Sequence, residues 1–494
     1  TAPDGFVLNE EAQTVTFSYK DQDTAVIEQT AAFDNDRQKV EISVVKKDAE
    51  TDAVVAGAEF GLYAKEDILA HENVLVKADT LLGKAVTDED GNAVFDLDLP
   101  FGKYYIRELA APAGYVSSDE TLDVTAAYQG QDVKVVKLAS EFKNQPTKIT
   151  VKKSDITTGV ELSGATLTVL DKDKNVIDTW KSVKGEEHLI ERLTAGETYT
   201  LREEMAPYGY LKAEEITFTV EDTAEIQKVE MKDDVPTGTI IINKNGEFLD
   251  KVTALDSVGG WISHLFQYVI GSLKDVTFEV FALEDVKSAD GESEDYYKKD
   301  ELVATIMTDD TGVAKVSGLP LGKYYVKEKA TVEGFVLDDE AREIDLTYRD
   351  QDTAEVTYSA DWQNNRQKAE VQVVKKEKDS DRVLEGAVFA LCAKEDITGT
   401  DGKVILEADT VIEEQATDKE GKLTFTADLP IGFAYYIKET SPAPGFATTD
   451  ETQEFTFEYE GAEKEKVSYA FTFEDEPTVI EITKTSLTDG EELE

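Results

Sequence analysis

The stretch LPFGKYYIRE at residues 99–108 decides the fold, because related stretches occur three more times along the chain. It returns as LPLGKYYVKE at 319–328 and as LPIGFAYYIKE at 429–439, with a looser copy, YTLRE, at 199–203. In these copies apolar and polar residues alternate, which predicts a strand with one face in a core. Recurrence at a period of about 110 residues is typical of a chain built from repeated domains.

Two further markers recur with the same period. One is an apolar strand that follows a Gly-Ala step in three of its four copies: GAEFGL at 57–62, GATLTV at 164–169, DVTFEV at 275–280 and GAVFAL at 386–391. The other is a turn that ends in an aromatic residue: PAGY at 112–115, PYGY at 207–210, EGF at 333–335 and PGF at 444–446. We therefore expect four full repeats with part of a repeat at each end, cut from a longer array. The predicted boundaries are 1–36 for the C-terminal part of one repeat, then 37–145, 146–235, 236–366 and 367–476, and 477–494 for the first strand of another.

The predicted fold class is all-β, with immunoglobulin-like β-sandwiches arranged in tandem as a rod. Repeats of roughly 100 residues with many short strands fit such sandwiches. Prolines at the junctions, Pro146 and Pro236 among them, fix φ and indicate short, stiff connections. The third repeat carries an insertion at about 249–273, where Trp261 and Leu265 begin a helical spacing. There we expect a helix that packs on a sandwich or, alternatively, forms a ligand groove.

The composition disfavours several classes of function. The 494 residues include 51 Lys and Arg against 104 Asp and Glu, and the net charge of −53 repels nucleic acid and anionic lipid. A single cysteine, Cys392, excludes an internal disulfide, and three scattered histidines provide little material for zinc sites or catalytic triads. No apolar run reaches the ~18 residues that a membrane span needs. We therefore expect no cofactor, no metal, no nucleic-acid partner and no membrane insertion in this segment.

Strand alternation places three polar groups on the core face of every repeat. In the first strand of the first full repeat, Val40, Ile42 and Val44 share a face, and the next residue on that face is Lys46. The same parity selects a glutamate on a middle strand and an asparagine or aspartate on the last. The lysines are Lys46, Lys153, Lys244 and Lys375, the glutamates are Glu108, Glu203, Glu328 and Glu439, and the acceptors are Asn144, Asp234, Asn364 and Asp475.

The acceptor of the second repeat is ambiguous. The distance to Pro236 selects Asp234, whereas the parity of Val229 and Met231 selects Asp233. A bulge in the last strand would reconcile the two readings, and a missing bond is the other possibility.

Burial changes what these polar groups can do. Removal from water lowers the pKa of a lysine and raises that of a glutamate. A neutral amine is a nucleophile, and a protonated glutamate can polarise a carbonyl and carry protons. We therefore predict that the lysine attacks the side-chain carbonyl of Asn or Asp and that ammonia or water leaves. The resulting amide would join the first strand to the last without a cofactor.

These combined motifs resemble the Cna protein B-type (SpaA-like, prealbumin-like) domains of Gram-positive surface adhesins and pilins. The resemblance covers nearly the whole chain, although the third repeat lacks the Gly-Ala step. It implies a reverse immunoglobulin-like sandwich with an intramolecular isopeptide bond. Carried over by position, the triads are Lys46–Glu108–Asn144, Lys153–Glu203–Asp234, Lys244–Glu328–Asn364 and Lys375–Glu439–Asp475.

The function that we expect from this resemblance is a structural stalk at the surface of a Gram-positive bacterium. Its location would be extracellular, anchored to peptidoglycan through a sorting signal outside this segment. The alternative is a binding module that recognises a host protein or glycan, with the insertion as the contact. We do not expect an enzyme that turns over external substrates, because no repeat offers a polar cluster outside the core triad.

Overall fold

The computed structural model describes residues 1–70, 72–255, 261, 263–485, 487–488 and 491. Within these ranges every regular element is a strand, so the all-β prediction is confirmed. The chain divides into two compact units, Thr1–Asp234 and Val235–Glu494. The first unit holds sixteen strands and the second seventeen.

The strands of the first unit belong to the first two full repeats. They are β1 (Lys39–Asp48), β2 (Glu59–Ala64), β3 (Ile68–Ala70), β4 (Asn73–Val76), β5 (Leu81–Val86), β6 (Asn92–Phe95), β7 (Gly102–Ala110), β8 (Thr121–Ala126), β9 (Val135–Asn144), β10 (Lys148–Asp155), β11 (Thr166–Leu170), β12 (Val176–Lys181), β13 (His188–Glu191), β14 (Thr198–Met205), β15 (Ile216–Thr219) and β16 (Gln227–Asp233).

The strands of the second unit belong to the third and fourth full repeats. They are β17 (Thr237–Leu255), β18 (Ser263–Ser272), β19 (Thr277–Ala282), β20 (Leu302–Met307), β21 (Val313–Pro320), β22 (Lys323–Ala330), β23 (Arg342–Asp345), β24 (Glu355–Gln363), β25 (Lys368–Glu377), β26 (Val388–Ala393), β27 (Ile397–Thr398), β28 (Val404–Leu406), β29 (Val411–Ala416), β30 (Lys422–Thr424), β31 (Ala434–Ser441), β32 (Thr452–Thr456) and β33 (Lys466–Asp475).

Each repeat is built from a three-stranded and a four-stranded arrangement. The three-stranded arrangements are β6-β1-β9, β13-β10-β16, β21-β17-β24 and β30-β25-β33. The four-stranded ones are β5-β2-β7-β8, β12-β11-β14-β15, β20-β19-β22-β23 and β29-β26-β31-β32. Their inward faces form one apolar cluster per repeat, as expected of a sandwich.

The first strand of every repeat lies at the centre of its three-stranded arrangement, parallel to the last strand. In β1 buried and partly exposed residues alternate from Val40 to Asp48, which is the period of two that the sequence predicts. The core face of this strand therefore carries Lys46 directly after Val44. This pairing brings the two ends of each repeat side by side.

The prediction of a helix at about 249–273 is wrong. The described part of this insertion is a hairpin, in which β17 extends to Leu255 and pairs antiparallel with β18; residues 256–260 and 262 lie outside the described residues. The helical reading rested on a spacing of four residues between Leu265 and Val269, which also places two side chains on the same face of a strand. The spacing could not separate the two structures, and strand pairing decides between them.

Residues 1–38 contain no strand. Phe6 forms an isolated bridge with Arg37, while Phe17, Tyr19 and Val26 are exposed.

Candidate cross-link sites

The register between the first and last strands brings lysine and acceptor together in every repeat. The lysines pair across the ladder with Phe142, Met231, Trp362 and Phe473. Two residues after each of these positions, on the same face, lie Asn144, Asp233, Asn364 and Asp475. A long lysine side chain spans this offset. The glutamates approach from the other side of the sandwich, on β7, β14, β22 and β31.

The first repeat shows the geometry for an asparagine acceptor. The Nζ atom of Lys46 lies 3.8 Å from Oε1 of Glu108, and both side chains are fully buried. The Nδ2 atom of Asn144 donates to both Glu108 oxygens, at 2.9 and 2.8 Å. Lys46 also lies over the ring of Phe142, 5.3 Å from its centroid. The amine, the carboxyl group and the carboxamide thus share one dry site.

The third repeat repeats this arrangement with one addition. The Nζ atom of Lys244 lies 2.8 Å from Oε2 of Glu328. The Nδ2 atom of Asn364 donates to Oε1 of Glu328 at 2.6 Å and to Oγ1 of Thr331 at 2.8 Å. The threonine hydroxyl therefore helps to orient the carboxamide in this repeat.

The second and fourth repeats have aspartate acceptors. Lys153 lies 3.0 Å from Glu203 and forms a short ion pair with Asp233. Lys375 lies 3.0 Å from Glu439 and forms a short ion pair with Asp475. These side chains are 1% exposed or less.

The choice of Asp234 as acceptor needs correction. The pairing of β16 with β10 proceeds without a register shift through Asp233, so strand parity places this residue in the core. Asp234 is exposed, and its main-chain carbonyl accepts a hydrogen bond from the Leu211 amide at 2.8 Å. The distance to Pro236 misled because the junction of this repeat is one residue longer than the others.

Several buried polar atoms in these sites form no hydrogen bond with the described residues. In the first repeat they are Nζ of Lys46 and Oδ1 of Asn144; in the third it is Oδ1 of Asn364, whereas Nζ of Lys244 is ion-paired with Glu328. In the second and fourth repeats the Oδ2 atoms of Asp233 and Asp475 likewise form no hydrogen bond. Unsatisfied buried polar atoms are costly and uncommon. They recur at one place in every repeat.

A sequence model of the SpaA prealbumin-like fold domain matches residues 40–139, 147–235, 270–362 and 369–472. These matches together cover more than half of the chain. The chain belongs to the SpaA prealbumin-like family. The family resemblance drawn from the sequence motifs is thereby confirmed, as is the sandwich fold.

Solved structures that match this chain include two pilins and a protein of Bacillus anthracis. The Bacillus anthracis TIE protein is 17% identical, with a TM-score of 0.46, over 88% of this chain and 73% of its own. The shaft pilin SpaA from Lactobacillus rhamnosus GG is 18% identical, with a TM-score of 0.20, over 50% of this chain and 100% of its own. A streptococcal ancillary pilin is 15% identical, with a TM-score of 0.23, over 67% and 99%. No curated protein matches the chain significantly.

Burial shifts the titration of the SpaA-domain triads toward uncharged forms. It lowers the pKa of Lys46 to about 8, although the nearby Glu108 carboxylate opposes this effect. Burial likewise raises the pKa of Glu108. In the third repeat burial lowers the pKa of Lys244 and raises that of Glu328. These directions favour a neutral amine beside a protonated carboxyl group.

In the aspartate-type sites the pKa values of two carboxyl groups are raised. Burial raises the pKa of Asp233 to about 7, against the opposing effect of Lys153. Burial also raises the pKa of Glu439. A protonated aspartate is a better electrophile than its carboxylate. The negative charge of the carboxylate disfavours attack by the amine, and its oxygen can leave as water only after it has been protonated.

Sequence reasoning missed one contact that positions the glutamate. Ten residues after Glu108, the main-chain amide of Ser118 donates to its Oε2 atom at 3.1 Å. The Ala213 amide does the same for Glu203 at 2.7 Å, and the Thr449 amide for Glu439 at 3.0 Å. In the third repeat the corresponding residue is Asp338, whose side chain pairs with Arg342 at 2.5 Å. A main-chain donor leaves no side-chain signature, so only its constant separation from the glutamate could have indicated it.

Two classes of site are not found in the described ranges. No group of three or more His, Cys, Asp or Glu side chains in them is arranged to hold a metal ion. Across the same residues, no helix is long and apolar enough to cross a bilayer.

Proposed function

We propose that this chain is a structural stalk of a Gram-positive surface adhesin or pilin, and that its SpaA-type repeats form their own isopeptide bonds. The observation that carries the proposal is the recurrence, in all four full repeats, of a buried lysine beside a glutamate and an Asn or Asp. Family membership supports the stalk role. The proposed sites are the triads of Lys46, Lys244 and Lys375 as predicted, and Lys153–Glu203–Asp233 in the second repeat.

The proposed reaction in the first repeat is a single intramolecular amide exchange. The neutral Lys46 amine attacks Cγ of Asn144 beside the protonated Glu108, whose oxygens face the Asn144 nitrogen that has to leave. Glu108 then carries a proton from the lysine nitrogen to the Asn144 nitrogen, the old C–N bond breaks, and ammonia leaves. With an aspartate acceptor the same steps break a C–O bond, and water leaves.

The strand order gives the bond a mechanical role. Tension on a repeat enters at the start of its first strand and leaves at the end of its last strand. Because these strands are parallel neighbours, a bond from Lys46 to Asn144 carries the load directly between them. The residues between the two ends of the bond are then bypassed. By analogy with a disulfide, closing a loop of this size stabilises the repeat by about 4–5 kcal/mol in the chain-entropy model.

The predicted domain boundaries complete the proposal. We place full repeats at 37–145, 146–235, 236–366 and 367–476, flanked by partial repeats at 1–36 and 477–494. The stalk would be extracellular and attached to peptidoglycan through a sorting signal outside this segment. The net charge of −53 keeps such a long molecule soluble and limits its self-association.

An intact mass measurement tests the bonds. If all four form, the chain has lost two ammonia molecules, from the first and third repeats, and two water molecules, from the second and fourth. Lys46→Ala is expected to retain one ammonia. Lys47→Ala is the matched control, because this neighbour pairs with Glu141 on the outer face, and it should show the full deficit. A parent chain at its unmodified mass would refute the proposal.

A further inference from the structure

The hairpin inserted in the third repeat extends beyond that repeat's own sandwich. The strand β17 pairs with β21 as far as Asn243 and with β24 as far as Asn245. From Gly246 to Leu255 its partner is β18. We call this part of the hairpin, residues 246–255 and 263–272, the strap.

We propose that the strap is a docking surface for the fourth repeat and that it joins the third and fourth repeats into one rigid block. Its side chains enter the neighbouring core: Leu249 and Phe266 are buried in the apolar cluster of the fourth repeat, and Val252 packs against the same cluster. The sheet also continues across the junction, since Ser263 pairs with Glu413.

Polar contacts reinforce the docking. The Tyr268 hydroxyl donates to the main-chain carbonyl of Asp428, in the fourth repeat, at 3.0 Å. The Thr400 amide donates to the Leu249 carbonyl at 3.3 Å. The strap therefore contacts two separate loops of the fourth repeat in addition to its core.

An arginine latch lies between the strap and the fourth repeat. Arg366, just after the last strand of the third repeat, pairs with Glu247 of the strap at 3.2 Å and with Asp428 at 2.5 Å. Its guanidinium stacks on the ring of Tyr268, 3.4 Å from the centroid. The next residue, Gln367, donates to the carbonyls of Gly461 and Lys464 at 3.1 and 2.9 Å.

The first unit contains the same latch without a strap. Arg37 pairs with Asp98 and donates to the Leu99 carbonyl at 3.1 Å. Gln38 donates to the carbonyls of Gly130 and Val133. Here the arginine side chain is 42% exposed, whereas that of Arg366 is 9% exposed.

This comparison isolates the effect of the strap. Both latches use an Arg-Gln pair against an Asp-Leu-Pro turn, but only the one with the strap is removed from water. An exposed ion pair contributes little and is screened by salt. Successive domains pivot by default unless their interface is large and apolar. The strap supplies such an interface, so the third and fourth repeats should move together.

Spin labels on the full chain test the rigid block. With Cys392 replaced by alanine, labels are attached at Asp339→Cys in the third repeat and Lys419→Cys in the fourth, both exposed positions. Pulsed electron spin resonance should give one narrow distance distribution. In the Leu249→Ser/Phe266→Ser double variant, which removes the apolar contact of the strap with the fourth core, it should broaden by about twofold or more, as for a flexible interdomain contact.

Two controls decide the interpretation. Arg37→Gln removes the other latch and should leave the width between the two labels unchanged. An unchanged width in the double variant would overturn the proposal. Loss of amide-exchange protection in β25 and β33 of that variant would also overturn it, since the strap would then be part of the fourth repeat's own fold. Protection that persists while the distance broadens supports the docking role.

Discussion

A lysine on the core face of a strand destabilises the folded repeat unless the amine is paired or reacts. Burying an ammonium is costly, and a carboxylate neighbour repays the cost only in part. The same burial lowers the pKa of Lys46 to about 8, so the neutral form of the amine becomes accessible. Amide formation would replace the buried amine of Lys46, which is charged when protonated, with an uncharged amide N–H. The same features that destabilise the unreacted repeat would therefore drive its reaction.

The rate of bond formation in the first repeat should depend on pH. Burial places the pKa of Lys46 at about 8, so the neutral, nucleophilic fraction grows as the pH rises toward that value. Chain produced in an unfolded, unreacted form and refolded at stepped pH should form the Lys46–Asn144 peptide faster as the amine loses its proton, until Glu108 also loses its proton and the rate levels off; above a pH of about 8 the rate should fall. Mass spectrometry of the joined peptide gives the rate. A rate that is highest at low pH would contradict a neutral-amine mechanism, and one that keeps rising well above a pH of about 8 would contradict the need for a protonated Glu108.

Glu108→Gln should stop the reaction while it preserves the shape of the site. The amide can still hydrogen-bond to Asn144, but it cannot carry a proton to the leaving nitrogen. We expect the intact chain to retain one ammonia and the Lys46–Asn144 peptide to be absent. Ser118→Pro removes the main-chain donor to Glu108, together with the Ser118 hydroxyl that accepts from the Glu120 amide, and should slow the reaction without abolishing it. Full bond formation in Glu108→Gln would show that the carboxyl group of Glu108 is not required for the reaction.

Two neighbouring aspartates provide a matched test in the second repeat. Asp233 contacts Lys153 in the core, whereas Asp234 is exposed. Asp233→Ala should therefore retain one water in the intact mass, and Asp234→Ala should show the same deficit as the parent. The reverse result would mean that the last strand shifts by one residue before it reacts.

The sequence predicts most of this site because one rule, the alternation of side chains along a strand, governs it. That rule correctly brings Lys46 to Glu108 and Asn144. In the second repeat the distance to Pro236 pointed to Asp234, whereas strand parity pointed to Asp233. The distance was the weaker guide, because the length of a junction varies more freely than the alternation of side chains along a strand. The Ser118 amide was beyond prediction because every residue has a main-chain donor.

At the scale of elements, a turn glycine supports the lysine strand in the first, third and fourth repeats. Gly91 has a φ of 76°, and its carbonyl accepts from the Lys46 amide at 2.8 Å. A Cβ atom added at Gly91 would lie 2.9 Å from the Lys46 carbonyl oxygen. Gly312 and Gly421 hold the same relation to Lys244 and Lys375. The turn thus packs against the backbone that presents the nucleophile.

Gly91→Ala is expected to destabilise the first repeat and to lower the yield of its bond. A left-handed φ alone costs a non-glycine residue about 1–2 kcal/mol, and the clash with the Lys46 carbonyl adds to this. Gly57→Ala is the control, since Gly57 has a φ of 89° but nothing within 4 Å of an added Cβ. Calorimetry and intact mass should show the larger loss in Gly91→Ala. Equal effects would mean that the contact with the lysine strand is unimportant.

The hairpin shows where element prediction reached its limit. A spacing of four residues fits both a helix and a strand, so Leu265 and Val269 could not discriminate between them. The deciding fact was non-local: β17 continues past its sandwich and offers ten residues from Gly246 onward as a pairing edge. Contacts between repeats, such as Phe266 in the fourth core, likewise depend on a neighbour that local sequence patterns do not describe.

At the scale of the molecule, the proposed bonds set how far the chain extends under force. Lys375 and Asp475 are 100 positions apart, and Lys153 and Asp233 are 80 apart. An extended chain spans about 3.3–3.6 Å per residue. Without its bond, the fourth repeat should therefore lengthen the chain by about 330–360 Å when it unfolds under force, and the second repeat by about 260–290 Å.

Single-molecule pulling on the full chain should reveal these two lengths separately. The parent should show neither step, because each bond holds its loop closed whether or not the sandwich remains folded. Lys375→Ala should add the longer step and Lys153→Ala the shorter one. Lys376→Ala alters the neighbour of Lys375 on the alternate strand face and should behave as the parent. Long steps in the parent would show that force passes through the sandwich and that the first and last strands are not covalently joined.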